Sequence, residues 1–264
     1  MFKVEKYPHG TFSWIDCNST DTATAKPFYT ELMGWDYDDM PVGEGVFYTM
    51  FKHNGESVAA LSPMPPYMVE QGVPSHWNSY ISVDDVDAMV EKVKTHGGTV
   101  ITEPFDVFDS GRMMVMQDPT GATVCLWQAG THIGSGLANT PGAFTWNELA
   151  TPDPQAAIKF YGDLFGWRVQ KEEDVDYYVI MNGDRPNGGM FLMPEQMGGM
   201  PPAWSVLLSV ADIAATMEKA KELGGTVLMG PIEAGENGTF AVIQDPVGAV
   251  FNAIQLTNPQ PWTE

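Results

Sequence analysis

The 264-residue sequence predicts an α+β protein of four βαβββ modules, joined in pairs as two tandem domains. Three observations support this. The two halves of the chain repeat each other. Each half divides into two units with one order of strand, helix and further strands. The turn phrase Asp-Pro-x-Gly-Ala recurs near the end of both halves, each time between two apolar runs of strand length. Pro fixes its own φ and Gly accepts the positive φ of a tight reversal, so each copy reads as a hairpin turn.

Self-comparison establishes the repeat. FSWIDCNSTDTATAKPFYTELMGW, from Phe12, aligns without a gap to FTWNELATPDPQAAIKFYGDLFGW, from Phe144. Trp14 meets Trp146, Phe28-Tyr29 meets Phe160-Tyr161, and Gly34-Trp35 meets Gly166-Trp167. Further on, Trp77 meets Trp204, Gly97-Gly98 meets Gly224-Gly225, and Asp118-Pro119 meets Asp245-Pro246. The chain is a tandem duplication. It divides into an extension at 1–10, a first domain at 11–129, a linker at 130–142, a second domain at 143–256 and a tail at 257–264.

Each element follows from local pattern. FSWID and FTWNE read as first strands. Ser19, Thr20 or Asp21 can cap the next helix, whose stripe Ala25, Phe28, Tyr29, Leu32 has helical spacing. Gly34 and Gly166 suit the position after a helix end. Pro154 suits a first turn, whereas Pro27 is costly unless its helix starts late. Shorter strands then complete modules at about 11–64 and 143–194. WNSYISV opens the next unit, Val86, Met89, Val90 and Val93 mark its helix, and strands 112–117 and 122–128 end it. These modules span about 75–129 and 202–256. A unit of about 60 residues is marginal alone, so modules should pair and share a sheet. The Pro-rich segments MPPYMVEQGVP and MPEQMGGMPPAW read as spacers between modules.

Composition bounds the partners. Apolar residues make up 44%, enough for a packed core. A formal charge of −21 repels phosphate backbones and anionic leaflets, and the 13 Lys and Arg are scattered, so neither nucleic acid nor membrane is an expected partner. No apolar run reaches the ~18 residues of a membrane span. Two cysteines, Cys17 and Cys125, offer no disulfide framework or Cys-x-x-Cys pair. The expectation is a reduced, soluble, cytoplasmic protein, monomer or homodimer.

The Trp-x-Asp/Glu strand, A-x-x-FY-x-x-LFGW, V-D-D-V-D-A, GG-T-V and D-P-x-G-A together resemble the vicinal oxygen chelate superfamily, which includes glyoxalase I, bleomycin-resistance proteins and extradiol dioxygenases. The likeness covers about 11–129 and 143–256. It implies curved, mixed sheets in which paired modules form a cup that holds ligand and often a divalent metal. It also implies where that metal's ligands would stand. The first-strand position is Trp14 or Trp146, and its partner in the second module is Asn78 or Ser205. The Glu seven residues past the Asp of D-P-x-G is replaced by Cys125 or Asn252, and the fourth position falls near Ala60 or Phe191. None is a His or a carboxylate, and a catalytic metal needs about three suitable protein ligands. No cofactor is therefore expected, a divalent metal being the family alternative.

Strand residues two apart share a face. Asp16 then lies with Trp14, Glu148 with Trp146, His76 with Asn78, and Trp127 with Cys125. The ligand-facing candidates are Trp14, Asp16, His76, Asn78, Tyr80, Cys125, Trp127, Trp146, Glu148, Ser205 and Asn252. Asp16, His76 and Glu148 are the candidates for acid-base catalysis. The bland alternatives are structural: carboxylates bonding nearby loops, a solvated His76, a buried Cys125, and indoles that fill the core. Three functions stand: a metal-free binder of a small, partly apolar molecule in an aromatic cup; a glyoxalase-like lyase or isomerase, or a dioxygenase, using an unorthodox site; and a structural or regulatory protein whose cups are filled.

Overall fold

The computed structural model describes residues 2–173, 175–197 and 199–260. The first half runs β1 (Thr11–Ser19), α1 (Thr22–Met33), β2 (Asp36–Gly43), β3 (Val46–His53), β4 (Glu56–Pro63), α2 (Pro66–Glu70), β5 (His76–Ser82), α3 (Val86–Thr95), β6 (Thr99–Val107), β7 (Gly111–Gln117) and β8 (Thr123–Ala129). The second half runs β9 (Phe144–Thr151), α4 (Pro154–Phe165), β10 (Arg168–Lys171), β11 (Tyr177–Asn182), β12 (Arg185–Leu192), β13 (Ala203–Ser209), α5 (Ile213–Glu222), β14 (Thr226–Glu233), β15 (Gly238–Gln244) and β16 (Val250–Leu256). A 3₁₀ turn at Glu195–Met197 stands in place of α2.

Each half forms one eight-stranded sheet, ordered β2-β3-β4-β1-β5-β8-β7-β6 and β10-β11-β12-β9-β13-β16-β15-β14. The sheets are mixed: β1 is parallel to β4 and antiparallel to β5, and β9 repeats this with β12 and β13. One sheet curls into a half-barrel. The first strands of the two modules thus lie side by side at the centre of each sheet.

The four longer helices start on one device. Asp21, Asp85, Asp153 and Asp212 each cap a helix by accepting from the backbone N–H three residues on. Gly34 and Gly166 end α1 and α4 in the left-handed conformation. Pro27 does lie inside α1, which begins at Thr22 and not late. The Pro-rich spacer of the first half contains α2. The 130–142 linker is packed structure: Ser135, Leu137 and Ala138 are buried, and Leu137 bridges to Lys3 of the N-terminal extension.

The helical layers face each other. Helix α1 packs on α5 and α3 on α4, so each half covers the other. The repeated phrases meet here. Tyr29 donates to Asp245 Oδ2 at 2.8 Å and Tyr161 to Asp118 Oδ2 at 3.0 Å. The other oxygen of each Asp holds its own turn, accepting from the N–H groups of Thr120 and Ala122, or of Val247 and Ala249. A Cβ on Gly98 would strike Phe160, and one on Gly225 would strike Phe28. No helix among the described residues is long and apolar enough to cross a membrane.

Candidate functional site

The face of each sheet turned away from the helices carries the candidate side chains, and this face of each half is called its cup. Period-two alternation puts Trp14 and Asp16 on one face of β1, across from Tyr80 and Asn78 of β5. Asp16 also faces Ala60 of β4, and Tyr80 faces Cys125 of β8. In the second half Trp146 and Glu148 face Leu207 and Ser205, and Glu148 faces Gly189. The position matching Ala60 is thus Gly189. Phe191, two residues on, is paired with Ala150.

A hydrogen-bonded chain recurs in both cups. In the first, the Trp14 indole N–H donates to Tyr48 Oη at 3.0 Å, and Tyr48 donates to Asp16 Oδ2 at 3.1 Å. In the second, Trp146 donates to Tyr177 Oη at 2.8 Å and Tyr177 to Glu148 Oε1 at 2.7 Å. Tyr48 stands two residues before Met50, which faces Ala60, and Tyr177 two before Val179, which faces Gly189. Sequence reading missed both tyrosines. They lie where the halves differ in length, and gapless comparison cannot pair them.

The cups differ around this chain. Asp16, 3% exposed, accepts two further bonds, from Asn78 Nδ2 at 2.9 Å and Tyr80 Oη at 2.7 Å. Burial raises its pKa, opposed by those three donors. Trp14, Tyr80, Cys125 and Trp127 form one buried cluster with Ala60. Burial also pushes the Cys125 thiol up, so it is a poor nucleophile. His132, from the linker, closes the cluster. Its ring meets Trp14 edge-on at 4.5 Å, and its carbonyl accepts from the Trp127 indole. Burial pushes its imidazole down to about 4, and Nε2 is buried without a partner among the described residues.

His76 stands at the rim, with Nδ1 against the Pro74 carbonyl at 2.9 Å and its strand partner Asn18. Asp16 and His76, both candidates for acid-base work, share no hydrogen bond, although the nearby His76 adds an electrostatic pull that lowers the Asp16 pKa against the larger effect of burial. All the oxygen bonds of Asp16 go to Asn78, Tyr80 and Tyr48, because the register puts Asn78, not His76, opposite it.

In the second cup Trp146 and Glu148 are only partly buried. Leu207 replaces Tyr80, Ser205 replaces Asn78, Asn252 replaces Cys125 and Ile254 replaces Trp127 along the same strands. The Ser205 hydroxyl donates to the Glu148 main-chain oxygen at 3.3 Å, leaving Tyr177 as the side-chain donor to this carboxylate. Burial raises the Glu148 pKa, with one hydrogen bond opposing it.

The family model "Glyoxalase/Bleomycin resistance protein/Dioxygenase superfamily" matches residues 11–126 and 143–252. The chain belongs to this superfamily. It is 46% identical over 259 residues to "Putative glyoxylase CFP32" of Mycobacterium tuberculosis, covering 97% of this chain and 98% of that one. It is 34% identical over 270 residues to the anthracycline biosynthesis protein DnrV of Streptomyces peucetius, covering 98% of each. Two solved structures share the fold. The Mn(II)-bound glyoxalase of Novosphingobium aromaticivorans gives a TM-score of 0.65 at 18% identity, over 99% of this chain and 87% of that one. The 2,3-dioxygenase LapB of Pseudomonas sp. KL28 gives 0.67 at 14% identity, over 97% and 96%.

The superfamily implies a divalent metal, and the residues present do not fit one. The four positions are Trp14, Ala60, Asn78 and Cys125 in the first cup, and Trp146, Gly189, Ser205 and Asn252 in the second. Only Cys125 is an ordinary ligand type, one where about three are needed. No group of three or more His, Cys, Asp or Glu side chains that could hold a metal assembles among the described residues.

Proposed function

We propose that this superfamily member binds a small, partly apolar molecule in an aromatic cup without a divalent metal. The observation that carries the reading is the Trp146-to-Tyr177-to-Glu148 chain of the second half, whose indole and carboxylate are only partly buried. It seats an indole where metal-using relatives place a ligand, and it leaves an apolar wall beside one oriented polar group. Small-molecule sites have this make-up, mostly apolar with few polar groups that fix orientation. DnrV is named for anthracycline biosynthesis, which is compatible with a flat aromatic ligand.

A second reading, a glyoxalase-like lyase or isomerase or a dioxygenase, draws support from Glu148. A partly buried carboxyl whose pKa is raised by burial is suited to general acid-base work. The name of CFP32 points the same way.

Elemental analysis of protein purified without chelator, with a binding screen of neutral bicyclic aromatics, separates these. The proposed reading expects less than about 0.2 divalent ion per chain and saturable quenching of tryptophan fluorescence. One tightly held ion per chain, or methylglyoxal–thiol turnover that depends on added Ni²⁺ or Zn²⁺, would overturn it.

A further inference from the structure

We infer that the two cups have diverged: the second is the ligand site, where Glu148 accepts a hydrogen bond from a hydroxyl on an uncharged aromatic molecule lying against Trp146, while the first is a closed structural copy. This rests on the reading that the fold binds a small molecule.

Occupancy by the protein's own atoms comes first. In the first cup Trp14 is 3% exposed and Trp127 is 5% exposed. His132 is wedged against both rings, with centroids at 4.5 and 5.9 Å. Asp16 already accepts three donated hydrogen bonds. The apolar surface of this cup is covered by its own side chains, and three hydrogen bonds already engage both oxygens of Asp16.

In the second cup the same strand positions bear smaller or less demanding side chains. Leu207 stands for Tyr80 and Ile254 for Trp127, which removes two rings and, with Tyr80, one donor to the carboxylate. Trp146 and Glu148 are left partly exposed. Glu148 Oε1 is engaged by Tyr177, while no bond reaches Oε2 among the described residues. A partly exposed indole beside an unused acceptor is complementary to a ring bearing a hydroxyl.

Charge narrows the class. The chain carries a formal charge of −21, and the second-cup side chains named here include no Lys or Arg. An anionic ligand would meet a carboxylate with no compensating cation. Gly189 is a further built feature, because a Cβ there would collide with the Tyr177 hydroxyl that orients Glu148.

The test uses 2-naphthol, with 2-methoxynaphthalene lacking the donor and 2-naphthoate carrying a charge, titrated calorimetrically into the full chain. One 2-naphthol should bind per chain, at least tenfold tighter than either control. Glu148→Gln should weaken 2-naphthol at least tenfold and abolish its advantage over the methyl ether. Asp16→Asn should change it by less than twofold. Two equivalent sites, loss through Asp16→Asn rather than Glu148→Gln, or a methyl ether that binds wild type as well as 2-naphthol would overturn the inference and leave the binding reading standing. No binding of any neutral bicyclic compound would overturn both. If Glu148→Gln fails to fold, the probe comparison on unmodified protein decides the ligand class and Asp16→Asn decides the cup.

Discussion

The hydroxyl of Tyr29 on α1 donates to Asp245, 216 residues away, at 2.8 Å, and Tyr161 does the same to Asp118 across the pseudo-symmetric contact. Each tyrosine also accepts from an indole of its own half, Trp77 at 3.0 Å and Trp204 at 2.8 Å. The sequence's most repetitive phrases therefore serve the contact between the halves, not the cups. F-Y of one half seats its Phe on Gly-Gly and its Tyr on Asp-Pro-x-Gly-Ala of the other. Duplication preserved a self-complementary surface, while the cups changed residue by residue.

Removing the Tyr29 hydroxyl should be costly although it leaves the ring in place. Tyr29→Phe orphans Asp245 Oδ2 and the buried Trp77 indole N–H, at about 1–3 kcal/mol for each buried group left unsatisfied. Chemical denaturation should read a loss of about 2–4 kcal/mol. Tyr37→Phe, at an exposed position, should stay within about 0.5 kcal/mol. Equal effects from the two changes would refute the bridging role.

Gly98→Ala tests the same contact by shape. The added methyl meets the Phe160 ring and should cost about 1–3 kcal/mol through overpacking. In a Phe160→Leu background the cost should shrink, giving a coupling of about 0.5 kcal/mol or more in a double-mutant cycle. Additive effects would show that Gly98 is needed for some other reason.

The fold was legible because its signals are local and doubled. Helix caps, Gly-Gly and the two hairpin turns each state one conformation, and every statement occurs twice. Which residues share a face was also legible, since strand alternation puts Trp14 with Asp16 and Trp146 with Glu148. The partners of those residues were not. Tyr48 and Tyr177 reach the carboxylates from a strand two places away in the sheet, and they lie where β2 has eight residues and β10 four. His132 was hidden differently, because a linker residue carries no periodicity to betray that it packs on Trp14. That Asn78, and not His76, stands opposite Asp16 is a matter of register, which period-two reasoning fixes in face but not in position along the strand.

Asp16 should leave a mark on stability against pH. Its folded pKa is raised, so above the unfolded value of about 3.9 the native state holds a proton that the unfolded chain has released. The stabilisation from this group is therefore complete below that value and is lost as pH rises through the folded pKa. Asp16→Asn cannot titrate and keeps an acceptor oxygen for the neighbouring donors. Urea denaturation from pH 4 to 8 should show the variant gaining on wild type as pH rises. A difference that is flat with pH, or that grows in the other direction, would contradict the raised pKa.

Gly189 offers the sharpest separation of the two cups. Its counterpart Ala60 carries a methyl beside the first chain without conflict, whereas a Cβ at Gly189 would meet the Tyr177 hydroxyl and ring. Gly189 does not have a positive φ, so Ala there suffers no backbone strain and any penalty comes from Tyr177. Gly189→Ala should displace that ring, breaking both its acceptance from Trp146 and its donation to Glu148, at about 1–3 kcal/mol. It should also shift Trp146 emission, since the indole N–H loses its partner. Once Tyr177→Ala has emptied the space, the same Gly189→Ala change should cost under about 1 kcal/mol, the cycle revealing the coupling. A penalty of equal size in both backgrounds would place the conflict elsewhere and remove Tyr177 from the role of orienting Glu148.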